Sequence, residues 1–116
     1  MPTFSRHLLS GSTSGKPIPV AATATPGTLL HTAVAGGYDE IYLYVANVTG
    51  AAVTITVEWG GTSDPADLIC KSVSVPANSG PTELVKGIVL NGGLVVRAFS
   101  SSANACNITG FVSRIQ

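Results

Sequence analysis

Beyond residue 37 the chain alternates apolar and polar positions in short stretches separated by turn formers, the signature of half-buried antiparallel strands. In the stretch 40–47, Ile41, Leu43 and Val45 fall on one side and Tyr42, Tyr44 and Ala46 on the other. The stretch 53–59 is cleaner, with Val53, Ile55, Val57 and Trp59 opposite Thr54, Thr56 and Glu58. Further strands are predicted over 68–75, 83–90, 94–99 and 107–115. The segment 48–52 reads as a hairpin connection, Asn91-Gly92 suits a tight hairpin, and 100–104 turns the chain into its last strand. Gly60 to Ala66 is a loop, and Pro76 and Pro81 bound a break before the strand that starts at Glu83.

Residues 1–37 follow another rule. Phe4, Leu8, Leu9, Ile18, Val20, Leu29, Leu30 and Val34 are scattered among Gly, Pro, Ser, Thr and Ala, with only Arg6 and Lys16 charged. A solvated disordered tail is normally rich in charge and poor in hydrophobes. This segment is the reverse, so it is expected to be an extended N-terminal arm that buries itself on a partner. Weaker strand candidates within it, 3–9, 18–22 and 28–34, raise the total from six to between seven and nine. Two regions result: an arm over 1–37 and a β-sandwich body over 38–116. The fold class is all-β, an antiparallel sandwich, with a jelly roll as one arrangement of it. On this reading, removing residues 1–26 leaves the body folded.

Composition sharpens the picture toward association. Charged residues are 10% of the chain, hydrophobic residues 45%, and the formal net charge is zero, so the surface repels other surfaces weakly. The six basic residues are scattered singly, which argues against nucleic acid as a partner, since phosphate binding needs clustered Lys and Arg. No stretch approaches the ~18 to 20 apolar residues that span a bilayer, and no apolar run follows basic residues at the N-terminus. A membrane partner and Sec-type secretion are therefore not expected.

Candidate chemistry is sparse. His7 and His31 sit in no catalytic pattern and are expected at the surface or in an interface. Asp39-Glu40 reads as a solvated start to a strand. Asp64 and Asp67 share a loop, where an oxygen-ligand Ca²⁺ site competes with an Asp-Pro turn and a capping Asp; the turn is preferred and no metal is assigned. Trp59 beside Gly60-Gly61 suggests a sugar-stacking indole in a carbohydrate-binding module that uses the 60–67 loop. The parity of Trp59 with Val53, Ile55 and Val57 favours core or interface instead. Cys70 and Cys106 read as small buried thiols, a disulfide being the alternative. No phosphate loop, paired-cysteine or dinucleotide motif occurs. The chain is thus expected to be no enzyme and to need no cofactor.

Three passages carry a resemblance. The opening Met1-Pro2-Thr3-Phe4-Ser5-Arg6, the central strands Glu40 to Val45 and Val53 to Gly61, and the closing stretches Asn91 to Phe99 and Ile108 to Ile115 resemble small accessory proteins in the virions of tailed bacteriophages. The resemblance covers most of the chain and is one of segment order, with no diagnostic motif. It implies a structural subunit located in the virion: a capsid decoration or cement protein, a homo-oligomer with a trimer favoured, binding the major capsid protein or another virion protein. A head-to-tail connector, tail or fibre-associated subunit is the alternative. The expected intersubunit contacts are Phe4, Leu8, Leu9, Ile18 and Val20 of the arm, with Tyr42 and Tyr44 of the tyrosine stripe.

Overall fold

The computed structural model describes residues 3–116. Nine strands are present among them: β1 (Phe4–Leu8), β2 (Ile18–Pro19), β3 (Thr28–Thr32), β4 (Tyr38–Asn47), β5 (Val53–Trp59), β6 (Leu68–Val75), β7 (Ser79–Leu90), β8 (Val95–Ser100) and β9 (Cys106–Ile115). They form two antiparallel sheets. One has the order β1-β9-β4-β7, with β2 also paired to β9; the other has the order β3-β8-β5-β6.

Period-two patterning explains why the sheets face each other. In β4 burial alternates strictly, with Asp39, Ile41, Leu43, Val45 and Asn47 turned inward. Val53, Ile55 and Val57 of β5 and Val96 and Ala98 of β8 turn toward them from the second sheet, and all join one apolar core. Burying a side chain of this size stabilises by about 1.5–3 kcal/mol. The β4–β9 pairing is the spine of the first sheet, running unbroken from Tyr38↔Ile115 to Asn47↔Cys106.

The N-terminal segment does not project as an extended arm. β1 pairs with β9 from Phe4↔Ile115 to Leu8↔Phe111, β2 continues beside β9 at Ile18↔Ile108, and β3 forms the edge of the second sheet beside β8. Leu9, Ile18, Val20 and Leu30 are buried in the chain's own core. Their sequence neighbourhood shows little periodicity because the strands here are short, β2 spanning two residues and β3 five with a bulge between Leu29 and His31, and Leu9 and Val20 enter the core from outside any strand.

The connections also differ from expectation. Neither 48–52, nor Asn91-Gly92, nor 100–104 closes a hairpin, because β4, β7 and β9 lie in one sheet and β5 and β8 in the other. These turns carry the chain across the sandwich. Pro81 lies inside β7, which begins at Ser79 rather than Glu83; an edge strand tolerates the missing N–H.

Two polar residues expected at the surface or in an interface are buried. Asp39 and His31 are essentially inaccessible. His31 Nδ1 accepts the Ser10 N–H at 2.9 Å, so Nε2 carries the proton and donates to Asp39 Oδ2 at 2.7 Å. Arg114 donates to the same carboxylate at 2.8 and 3.1 Å, and the Val34 N–H at 3.0 Å. Burial by itself raises the Asp39 carboxyl; the hydrogen bonds from Arg114, His31 and Val34 outweigh it and hold the group below the ordinary carboxylate value. The network ties β3 of one sheet to β4 and β9 of the other.

Candidate functional site

The outer face of the β1-β9-β4-β7 sheet is built from the positions that alternate with the core. Register places its side chains in cross-strand rows. Phe4, Ile115 and Tyr38 form the first row, Arg6, Ser113 and Glu40 the second, and Leu8, Phe111 and Tyr42 the third. Tyr44 follows in a fourth, opposite Thr109. Directly opposed pairs of this kind are the unit of sheet stabilisation.

The third row is a stack. Phe111 and Tyr42 lie 4.6 Å apart between centroids at an interplanar angle of 12°, and the Arg6 guanidinium sits 4.8 Å from the Phe111 centroid. Phe111 is thereby held between an aromatic ring and a cation, each contact contributing on the order of 0.5–1.5 kcal/mol. Beyond Tyr42 the row meets Gly87, whose φ of +68° places it in the left-handed region at a β-bulge between Ile41 and Tyr42. A Cβ there would approach the Tyr42 hydroxyl to 3.0 Å, so glycine makes room for the end of the tyrosine ring.

Small Ser113 leaves a hollow in the second row. A groove of about 380 Å³ opens there, lined by Phe4, Ser5, Arg6, Glu40, Ser113 and Ile115. Arg6 and Glu40 flank it, and neither belongs to the ion pairs among the described residues, which are Lys71–Asp64 and Arg114–Asp39. Large apolar groups remain open around it: Phe4 is 74% exposed, Leu8 54% and Tyr38 51%.

Of the residues singled out from sequence, Phe4, Leu8, Tyr42 and Tyr44 therefore gather on one face. Leu9 at 1%, Ile18 at 6% and Val20 at 0% exposure do not reach it; side chains consumed by the chain's own core have no area left for a neighbour. Sequence reasoning missed Arg6, Glu40, Phe111, Ser113 and Ile115 as members. The parity of β9 alone, with Val112 and Ile108 inward, would have put Phe111 outside, but nothing local says that Tyr42 lies next to it.

The other candidates are engaged elsewhere. Trp59 is half-buried and packs against the core. Asp67 accepts the Ser63 N–H at 3.0 Å, whereas Asp64 pairs with Lys71 at 3.0 Å, so the two carboxylates serve different partners. Among the described residues no group of His, Cys, Asp and Glu is arranged to hold a metal. Cys70 and Cys106 are free thiols on strands of different sheets, and burial pushes both up from the ordinary thiol value. No described helix is long and apolar enough to cross a membrane.

The geometry defines an all-β two-sheet protein with an exposed aromatic face on which Arg6, Glu40, Glu83 and Lys86 belong to no ion pair among the described residues. Comparison with known families, with curated proteins and with solved structures returned no match.

Proposed function

We propose that this chain is a non-enzymatic structural subunit of a tailed-bacteriophage virion, a capsid decoration or cement protein that stabilises the head by binding across major capsid protein subunits, and that its sandwich is a jelly roll. The observation that carries the reading is the path of the chain between the sheets. With β1 and β2 sharing the lane beside β9, every later connection except β5–β6 passes from one sheet to the other. Double Greek-key sandwiches of this kind recur in viral capsid and lectin domains.

Fold alone does not choose among those uses. Assembly is favoured by the state of the polar groups: Asp39, Glu58, His31 and Asp67 are all spent on internal hydrogen bonds, while the open face exposes Phe4, Leu8 and Tyr38 beside charges of both signs. Such a face suits binding to another protein.

The test is reconstitution. Heads of the encoding phage that lack the protein are mixed with recombinant chain, sedimented, and imaged by cryo-EM. Cosedimentation with added density over capsid-protein junctions is the expected result. Density confined to the neck, tail or fibres would replace the cement reading with the connector, tail or fibre one, and absence of any virion density would overturn both.

A further inference from the structure

We propose that the outer face of the β1-β9-β4-β7 sheet docks a second copy of this chain, face to face, about a two-fold axis lying along β9. Across β1, β9 and β4 the rows of this face are laterally symmetric, and β7, with Val89, Lys86 and Glu83, lies outside the symmetric patch. Arg6 and Glu40 stand one strand to either side of Ser113, roughly 5 Å each way in backbone spacing. A two-fold rotation about a line along β9 turns a second copy over, exchanges left for right, and leaves each row at its own level. Arg6 of each copy then lies over Glu40 of the other, giving two reciprocal ion pairs from two groups that have no ionic partner among the described residues.

The apolar rows obey the same operation. Phe4 of one copy falls over Tyr38 of the other and Leu8 over Tyr42, while Ile115 and Phe111 each meet their own counterpart. The ion pairs are thus bracketed on both sides by rows that exclude water, where charge complementarity fixes register most strongly. The groove at Ser113 supplies room for interdigitation, as facing sheets require at a separation of about 10 Å. Isologous contacts of this kind make the commonest closed oligomers.

A saccharide is the competing occupant of an aromatic groove. Stacking on a sugar needs a free ring face; those of Phe111 are taken by Tyr42 and Arg6, which leaves the exposed rings of Phe4 and Tyr38. A second copy needs only the exposed edges and the two charges. The proposal does not depend on the virion reading: a chain that dimerises but ignores phage heads keeps the one and loses the other.

The experiment is solution mass by sedimentation equilibrium on the full chain, with thermal melts to confirm that each variant is folded. Wild type is expected at twice the 11.7 kDa chain mass. Arg6→Glu and Glu40→Arg, each placing two like-charged contacts in the interface, are expected to weaken self-association roughly 100-fold. Mixing the two variants restores a dimer, because one chain then carries a carboxylate at both positions and the other a guanidinium at both, so each contact is again an opposite-charge pair; the double exchange in one chain restores it as well. A monomeric wild type, a three-fold species, single variants that dimerise normally, or a mixture that stays monomeric each overturns the proposal. A monomeric wild type that binds on a glycan array, with binding lost in both variants, overturns it in favour of a sugar.

Discussion

The two sheets of this sandwich present outer faces of opposite character. On the β3-β8-β5-β6 sheet the outward Thr56 and Glu58 are buried, Thr56 accepting the Ser72 N–H of β6 at 3.0 Å and Glu58 covered by the segment leading into β3. Thr25 Oγ1 donates to Glu58 Oε2 at 2.5 Å and the Gly27 N–H to Oε1 at 2.6 Å. Arg97 donates to the Gly27 carbonyl at 3.3 Å, and the Ser100 N–H to that of Ala22 at 3.1 Å. Around Glu58 that face is polar and closed by its own chain, while Leu29 stays 39% exposed beside Arg97 and Phe99 lies opposite Thr56. The face of the other sheet is aromatic, carries unpaired Arg6 and Glu40, and is covered by nothing among the described residues. A polar face can be satisfied internally by a loop rich in hydroxyls and N–H groups, whereas an apolar face gains only from another apolar surface. The difference separates what holds this protein together from what it offers to a partner.

The largest expected effect comes from removing the closing segment altogether. Deleting residues 1–26 takes away β1, β2, Leu9 and Val20, so the remainder is expected to lose its cooperative thermal transition; a truncated body that melts cooperatively near the full-length temperature would return the segment to the status of an arm. Within the full chain, Leu9→Ala is expected to cost about 2–5 kcal/mol in chemical denaturation, a value no residue of the open face should approach.

Next in size is the intersheet network. Asp39→Ala leaves Arg114 and His31 without their acceptor and is expected to cost about 3–5 kcal/mol, measured by urea titration at neutral pH. The pH dependence has a definite sign. The folded Asp39 carboxyl lies below its ordinary value of 3.8, so the unfolded chain takes up the proton first on acidification. Its contribution is complete above that ordinary value and is lost as pH falls through the depressed folded one. Stability that declines below about pH 4 in wild type, with a smaller decline in Asp39→Ala, is the expected pair of curves.

The closed polar face should respond less. Thr25→Ala removes one donor from the buried Glu58 carboxylate and is expected to cost about 1–3 kcal/mol, readable as a lower denaturation midpoint. The smallest stability effect belongs to the open face: Phe4→Ser, at a position 74% exposed, is expected to stay within about 0.5 kcal/mol of wild type. A large loss there would mean that the aromatic face holds up the monomer, and the contrast between the two faces would fail.

How much of this was legible in the sequence varies by element. The strands over 53–59 and 68–75 have the predicted bounds, because Gly60-Gly61 and Pro76 end them and the core-facing residues of the first repeat every second position; in the second a bulge at Ser72 breaks that repeat between Cys70 and Val73. The stripe of Tyr42 and Tyr44 was visible for the same reason. Pairing was not legible. Asn91-Gly92 favours a tight turn in any context, yet here it links β7 to β8 across the sandwich, since turn chemistry constrains four residues and says nothing of which strand lies alongside. His31, Asp39 and Glu58 could not be recognised as buried, because the groups that satisfy them come from Ser10, Arg114, Thr25 and Gly27, far away along the chain.

The sequence by itself therefore determined the all-β class, the strands and their inward and outward parity, for these follow from the two-residue period of an extended backbone. Only the tertiary structure decided which strands became neighbours. That choice drew the apolar N-terminal segment into the core rather than onto another molecule, and brought Arg6, Phe111 and Tyr42 from three separate strands into one stack. The physical reason is that burial rewards any apolar surface that closes the core, whatever its distance along the chain, while local patterning specifies only the face a side chain presents.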